Sequence, residues 1–386
     1  MEDIDFGKRD KRGNWKPNYK VTPNPKYIVP FEPLKLLKHI VGWNGYIFPW
    51  AFIWASVAVI CWFFFTPPLE QMRNFELGWI TYILVRNAIV VFLYAGFFHL
   101  HFFIQKSQGW NFKYNTKPLE NNNSKFLFKN QTKDNLVYVF LSAIPIWTAY
   151  EVITYWLFAN SFIPMIDWNL YPVYCAVLFF LVPTIRDIHF YLVHRFLHWP
   201  PLYKIGHRVH HRNTNPGPWS GLAMHPIEHI LYFTGIIFHW IIPSHPLIAM
   251  WHIFHAGLAP HAGHAGYDKM IFKNGKHLDI GAYDHYLHHK YFECNYGGGN
   301  FGWLDKWFGT LHDGSEEAHA RTLQRIYASS FSESKSDSIG SRSWLSLRAT
   351  VVSLPCDTCV ATLETVLSPP RDNCVPTPCG FIRFRW

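Results

Sequence analysis

The sequence predicts an all-α protein: a multi-pass transmembrane bundle of about four spans, carrying a histidine-rich helical cap on its cytoplasmic side. Three observations lead there. The chain of 386 residues is 49% hydrophobic and 16% charged, well below the roughly one quarter of charged residues usual in soluble domains. Its apolar residues gather in long runs bounded by basic segments. Eighteen of its 23 histidines lie between His189 and His289.

The runs come first along the chain. Tyr46 to Phe65 is 20 residues without a charge, enough to cross a hydrocarbon core of about 30 Å as a helix. Trp79 to Leu100 contains one charge, Arg86, and Leu136 to Phe158 holds Glu151; a shorter run covers Leu170 to Ile185. Further on, Ile230 to Ile242 and Leu247 to Leu258 are too short to span alone. Pro243 and Pro246 separate them, which suggests a broken helical hairpin. Lysine and arginine placement sets the expected orientation. The first 45 residues carry nine Lys/Arg, and Lys106 to Lys133 contains six lysines with one acid, Glu120. Both segments are expected in the cytoplasm, so two hairpins return the chain there near Arg186, and every histidine cluster follows on that side. The polar, basic start lacks the pattern of a cleavable signal peptide. A net charge of +9 suits lysines near anionic headgroups, and the basic residues flank spans instead of forming a nucleic-acid-binding domain.

The predicted organisation is therefore a basic segment at 1–45, transmembrane helices in two hairpins at 46–185, a histidine-rich domain at 186–314 and an atypical, disordered tail at 315–386. Cys356, Cys359, Cys374 and Cys379 crowd that tail, at a spacing that makes a poor zinc site.

Three histidine clusters stand out: His194-Arg-Phe-Leu-His198, His207-Arg-Val-His210-His211 and His285-Tyr-Leu-His288-His289. Positions i, i+3 and i+4 share a helix face, so each cluster is expected to aim its rings at one point. Eight imidazoles are twice what one tetrahedral zinc needs, and no short cysteine spacing accompanies them. Two metal ions held almost wholly by nitrogen are the economical reading. Ligand type alone leaves iron, copper, nickel and zinc open. His264 in Pro260-His261-Ala-Gly-His264 is the favoured ninth ligand, with His261 behind it. Pro200 and Pro201 break one helix and open the next, letting two histidine-bearing helices converge. In His225-Pro226-Ile-Glu228-His229, either histidine could ligate, or Glu228 could orient a ligating ring through its free N–H. Asp187, Asn295 and Asp305 are further candidates for supporting the site. Trp199, Tyr203, Trp219 and Phe292 are expected along its approach. His189 lies about 140° round a helix from His194 and is left out.

Together these motifs resemble the fatty acid hydroxylase superfamily, particularly its sterol desaturase branch of C-5 desaturase type. The matching pieces are Asp187 seven residues before His194, His-Arg-x-x-His, Leu-Tyr-Lys, His-x-x-His-His, His-Pro-x-Glu, His-Ala-Gly-Tyr and a second His-x-x-His-His. Asn-Tyr-Gly and Trp-x-Asp-x-x-Phe-Gly-Thr follow in order. The resemblance covers about Asp187 to Gly314. It implies an endoplasmic-reticulum membrane enzyme with two Fe ions on these histidines, using O2 to desaturate or hydroxylate a sterol or other lipid. It also implies electrons from cytochrome b5 and its NAD(P)H reductase. No His-Pro-Gly-Gly stretch of a fused cytochrome b5 domain occurs, so a separate donor protein is expected. Within the class, a sterol C-4 methyl oxidase or a fatty acyl hydroxylase is the rival reading. Outside it stand a membrane zinc hydrolase, which lacks a His-Glu-x-x-His motif here, and a catalytically silent lipid-binding protein, which would need no converging imidazoles.

Overall fold

A computed structural model describes residues 1–22, 30–298 and 302–337. The chain opens with an antiparallel hairpin, β1 (Gly7–Arg9) on β2 (Trp15–Pro17), in the register Gly7↔Pro17. Trp15 anchors it: the ring is buried against Phe112 and Tyr114, and its backbone N–H donates to Tyr114 O at 3.0 Å. Helix α1 (Pro33–Val41) follows, with no buried residue. A tight reversal then leads into α2 (Trp50–Phe64). Only glycine fits in that reversal at position 45, where a Cβ would lie 2.0 Å from the His39 carbonyl oxygen.

Among the described residues, three helices are long and apolar enough to cross a membrane: α3 (Leu77–Ile104), α4 (Gln131–Ala159) and α5 (Pro172–Leu197). Helix α2, predicted as the first of about four spans, has 15 residues. At 1.5 Å per residue it reaches about 22 Å, short of a hydrocarbon core, because the reversal through Pro49 consumes the start of the apolar run. Helix α5 departs from expectation in the other direction. It does not stop at Ile185 but continues through an internal Pro183 to Leu197, so the last apolar run and the first histidine cluster share one rod.

The two charges inside the apolar runs meet. Arg86 of α3 pairs with Glu151 of α4, both side chains being at most 5% exposed. Glu151 also accepts hydrogen bonds from Asn87 Nδ2 at 2.9 Å and Tyr155 Oη at 2.7 Å, and Arg86 donates to Thr66 Oγ1 at 2.9 Å. Each charge is thereby balanced where water cannot solvate it.

Beyond α5, short helical pieces from Pro200–Leu202 to Arg208–His211 carry the second histidine cluster. Helix α6 (Pro226–Phe233) starts at a proline, and its capping residue His225 accepts from the Ile227 N–H through Nδ1. The predicted broken hairpin is present: Phe238–Ile241 ends before Pro243, and α7 (Pro246–Gly263) begins at Pro246. Helix α7 is buried along nearly its whole length and packs against α2, α3, α4 and α5. At Gly257 the Trp147 ring comes so close that a Cβ would lie 2.1 Å from it. A hairpin of β3 (Lys269–Ile271) and β4 (His277–Asp279) precedes α8 (Tyr283–Tyr291), bearer of the third cluster.

The irregular tail predicted from Ser315 gives way at once to a helix, α9 (Glu316–Asp337). Ser315 Oγ accepts from the Ala318 N–H at 3.2 Å, acids occupy the first turn, and Ala318 and Thr322 are buried four residues apart. That capping pattern was present in the sequence. The four tail cysteines lie outside the described residues.

Removing one partner of the intramembrane pair should unfold the bundle more readily than removing both. Glu151→Ala, which leaves the Arg86 guanidinium buried alone, is expected to cost about 3–5 kcal/mol. The double variant Arg86→Met/Glu151→Leu should recover most of that loss. Thermal unfolding of the detergent-solubilised protein compares the two.

Candidate metal centre

The nine histidines singled out as ligands come together in two clusters able to hold a metal ion. One comprises His194, His198, His207, His211 and His288; the other His210, His264, His285 and His289. Helix α5 supplies His194, with His198 at its C-cap, and His264 caps the C-terminus of α7. The expectation that each sequence cluster aims at one point is corrected here. His207 and His211 turn to the first site while His210 turns to the second; His285 and His289 turn to the second while His288 turns to the first. The reason is helical geometry. Residues i and i+4 lie about 40° apart, whereas i+3 falls about 60° to the other side, so a trio straddles two points.

The Nε2 atoms are packed edge to edge. In the first cluster His207 and His211 are 3.0 Å apart, His198 is 3.1 Å from each, and His288 is 3.1 Å from His211. In the second, His264 lies 3.0 Å from both His285 and His289 and 3.2 Å from His210. The opposite edges of several rings decide what those nitrogens carry. His194 Nδ1 donates to Tyr296 O at 2.7 Å, His264 Nδ1 to Pro260 O at 2.7 Å and His288 Nδ1 to Cys294 O at 2.6 Å. A carbonyl can only accept, so the proton of each neutral ring sits on Nδ1 and the converging Nε2 presents a bare lone pair. His207 Nδ1 meets Glu228 Oε1 at 2.7 Å in the same arrangement.

These residues fit a cation. Burial, reinforced by the neighbouring rings, holds His207, His210, His211, His285, His288 and His289 well below the ordinary imidazole value, and burial brings His264 to about 3. Protonation therefore does not relieve the lone-pair crowding. Burial also pushes Glu228 well above the usual carboxylate range, so its charged form calls for positive charge nearby. Nitrogens about 2.1 Å from a metal stand about 3.0 Å apart at adjacent octahedral corners and about 3.4 Å apart at tetrahedral ones. The observed spacings lie nearer the octahedral figure.

A loop held from behind supplies two of the orienting carbonyls. Asp305 accepts from the backbone N–H groups of Tyr296 and Gly297 at 3.0 and 2.9 Å and from Thr310 Oγ1 at 2.6 Å. Asn295 donates to Asp284 O and His312 O and accepts from the His312 N–H. Positive φ at Phe292 (65°) and Asn295 (52°) folds the loop back over α8. Backbone carbonyls carry no sequence signature, so only the anchors Asn295 and Asp305 could be picked out beforehand.

The remaining candidates fall outside the clusters. His261 donates through Nδ1 to Pro218 O at 2.8 Å; His229 bridges Ser142 Oγ and Leu222 O; His225 caps α6. Their sequence positions are close to ligands, but their rings are committed to holding backbone in place. His189 pairs with Thr234 Oγ1. Asp187 pairs with Arg186 at 3.0 Å and lines a cavity of about 280 Å³. His194, His207, His210, His264 and His285 face that cavity, with Tyr46, Trp50, Trp54, Phe190 and Tyr232 among its other walls. None of the four aromatics expected along the approach lines it. Tyr203 and Phe292 instead flank the first cluster, with ring centroids 5.7 and 4.9 Å from His211. The α2 wall escaped sequence reasoning because nothing marks an apolar helix as facing a pocket rather than lipid.

Comparison with known proteins adds the family. Residues 177–310 match the fatty acid hydroxylase family model. A protein of Dictyostelium discoideum named as a methylsterol monooxygenase is 29% identical over 230 residues, 57% of this chain and 79% of its own. A Delta(7)-sterol 5(6)-desaturase of Gibberella zeae is 30% identical over 139 residues, covering 35% of this chain and 42% of the relative. Methylsterol monooxygenase 1 of Danio rerio is 33% identical over 150 residues, 37% of this chain and half of the relative. The alignment thus spans less than half to about half of two of these relatives. No solved structure matches. Residues 177–310, which match the fatty acid hydroxylase model, hold every histidine of both clusters, and the relatives' names are in keeping with the sterol desaturase branch.

Proposed function

We propose that this chain is a membrane-bound lipid oxygenase that uses O2 and external electrons to desaturate or hydroxylate a sterol, most closely in the manner of a C-5 desaturase. One observation supports this above all. Two all-nitrogen clusters of almost wholly buried, neutral imidazoles open on one cavity that has aromatic side chains among its walls. His194, His198, His207, His211 and His288 would hold one iron, and His210, His264, His285 and His289 the other. Two irons held by these residues would supply the redox capacity for O2 activation.

The residues of the chain do the rest. Tyr296, Pro260 and Cys294 carbonyls and Glu228 keep Nε2 free on four rings. Asp305 and Asn295 hold the loop that supplies two of those carbonyls, and with it Asp187, Glu228 and Asp284 make the polar side of the pocket. Trp50, Trp54, Phe190 and Tyr232 offer an apolar wall for fused rings and exclude the water that would quench a strong oxidant. The stoichiometry is fixed by the class. Desaturation removes two C–H hydrogens and, with O2, two electrons and two protons, leaves an alkene and two waters. Hydroxylation consumes the same electrons and protons and yields an alcohol and one water. A separate one-electron donor is required, and cytochrome b5 with its NAD(P)H reductase fits. The basic segments support an orientation with the N-terminus and the clusters on the cytoplasmic side, and the family resemblance supports the endoplasmic reticulum membrane as the location.

Relatives named as methylsterol monooxygenases support a second reading, oxidation of a C-4 methyl group. A sterol and fatty-acid profile of cells with and without the protein separates them. Accumulation of a sterol lacking one double bond identifies desaturation; accumulation of a methylated sterol identifies the second reading. An unchanged sterol pool with altered acyl chains rejects both.

His207→Ala and His288→Ala should each abolish turnover and lower the metal content measured by elemental mass spectrometry, while membrane insertion is unchanged. Full activity in either variant rejects the site. Glu228→Gln keeps the size of the side chain but not its charge, and should weaken metal affinity about 10- to 100-fold, read by chelator competition.

A further inference from the structure

Helix α1 has a division of faces that neither the metal centre nor the bundle uses. Leu34, Leu37 and Val41 lie within about 60° of one another around its axis, and they are 73%, 56% and 56% exposed. Lys35 and His39 lie on the far side and Lys38 on the flank of the stripe, about 40° from Leu34, while Leu36, His39 and Ile40 are half-buried. Phe31 before the helix and Trp43 after it are also exposed. A short helix with a bare aliphatic stripe bordered by lysines, whose long side chains can reach back to the surface, has the make-up of one lying in a lipid headgroup layer.

The segment that leaves α1 is a wall of the histidine-lined cavity. Asn44, Gly45 and Tyr46 line it. That segment is tied to α1 by the Tyr46 N–H, which donates to His39 O at 2.7 Å, and to α5 by Tyr46 Oη, which donates to Phe180 O at 2.6 Å. On its other side Trp50 Nε1 donates to Asp279 O at 2.9 Å, and Asp279 also lines the cavity. The rim is therefore hydrogen-bonded to α1 on one side and to α5 on the other.

We propose that α1 seats on the surface of an anionic bilayer, its Leu34/Leu37/Val41 face among the acyl chains and Lys35 and Lys38 on the phosphates, and that residues 44–46 form the bilayer-side doorway of the cavity. Charge complementarity argues for an anionic lipid surface as the occupant, and a cavity rim joined to the seated helix gives an apolar substrate a route that avoids water. The seat is independent of the oxygenase reading; the doorway rests on it.

The full-length protein, with Leu37→p-benzoylphenylalanine in one sample and Lys35→p-benzoylphenylalanine in another, is reconstituted in phosphatidylcholine/phosphatidylserine vesicles and irradiated. Lipid adducts are expected at position 37 and not at 35, with a lower yield in phosphatidylcholine alone. No lipid adduct at 37, or an adduct to a second copy of the chain, overturns the seat. The pair Leu34→Glu/Leu37→Glu, neither of which lines the cavity, should raise KM for a vesicle-borne sterol by about tenfold or more, the scale set by losing the burial of one leucine. Metal content and turnover of cyclodextrin-delivered sterol should stay at the parental level. An unchanged KM overturns the doorway. Absence of sterol turnover in the parent rejects the oxygenase reading and leaves the adduct test standing.

Discussion

Bare imidazole nitrogens pointed at one another are the constraint on which the rest of this structure depends. Neutral rings whose Nδ1 protons are spoken for have nothing to donate inward, and burial keeps them from taking up a second proton. Crowding such lone pairs within 3.0–3.3 Å is tolerable only around positive charge. The surrounding scaffold is a device for holding that arrangement. The carbonyls behind the rings fix tautomers, Asp305 and Asn295 fix the carbonyls, and Glu228 supplies a counter-charge that burial alone would neutralise.

The apolar bundle contributes by being rigid where the site is built. Helix α5 runs unbroken from its apolar run into His194, so the position of that ring is set by packing far from the metal. Helix α7 is buried on all sides and ends at His264. The close approach of Trp147 at Gly257 brings α4 and α7 together, and the Arg86–Glu151 network locks α3 to α4. Intramembrane charges usually mark a pathway or a relay; here each is the other's counter-ion.

Much of this was legible in the sequence. A histidine pair and two trios at helical spacing, separated by prolines that restart helices, pointed to a polynuclear nitrogen site, and the nine favoured residues are the ones the fold gathers. What stayed hidden follows from the limits of one-dimensional pattern. Spacing shows that His207, His210 and His211 share a face but not that the face looks at two points. His261 and His229 sit in motifs as suggestive as that of His264, and only the chain's path reveals that their nitrogens serve backbone carbonyls. The length of an apolar run overstated α2 because a turn consumed its first residues, and a capped amphipathic start to α9 was overlooked in a polar stretch.

The straddling of the two sites by shared trios carries a consequence for assembly. The short helix at Arg208–His211 and helix α8 each give ligands to both clusters. Ordering either helix around one ion pre-pays the entropy of ordering it around the other. Occupancy should then be cooperative, with chains either bare or doubly loaded and the half-loaded form scarce. When the metal is scarce, such coupling would leave fewer doubly loaded chains instead of many half-loaded ones.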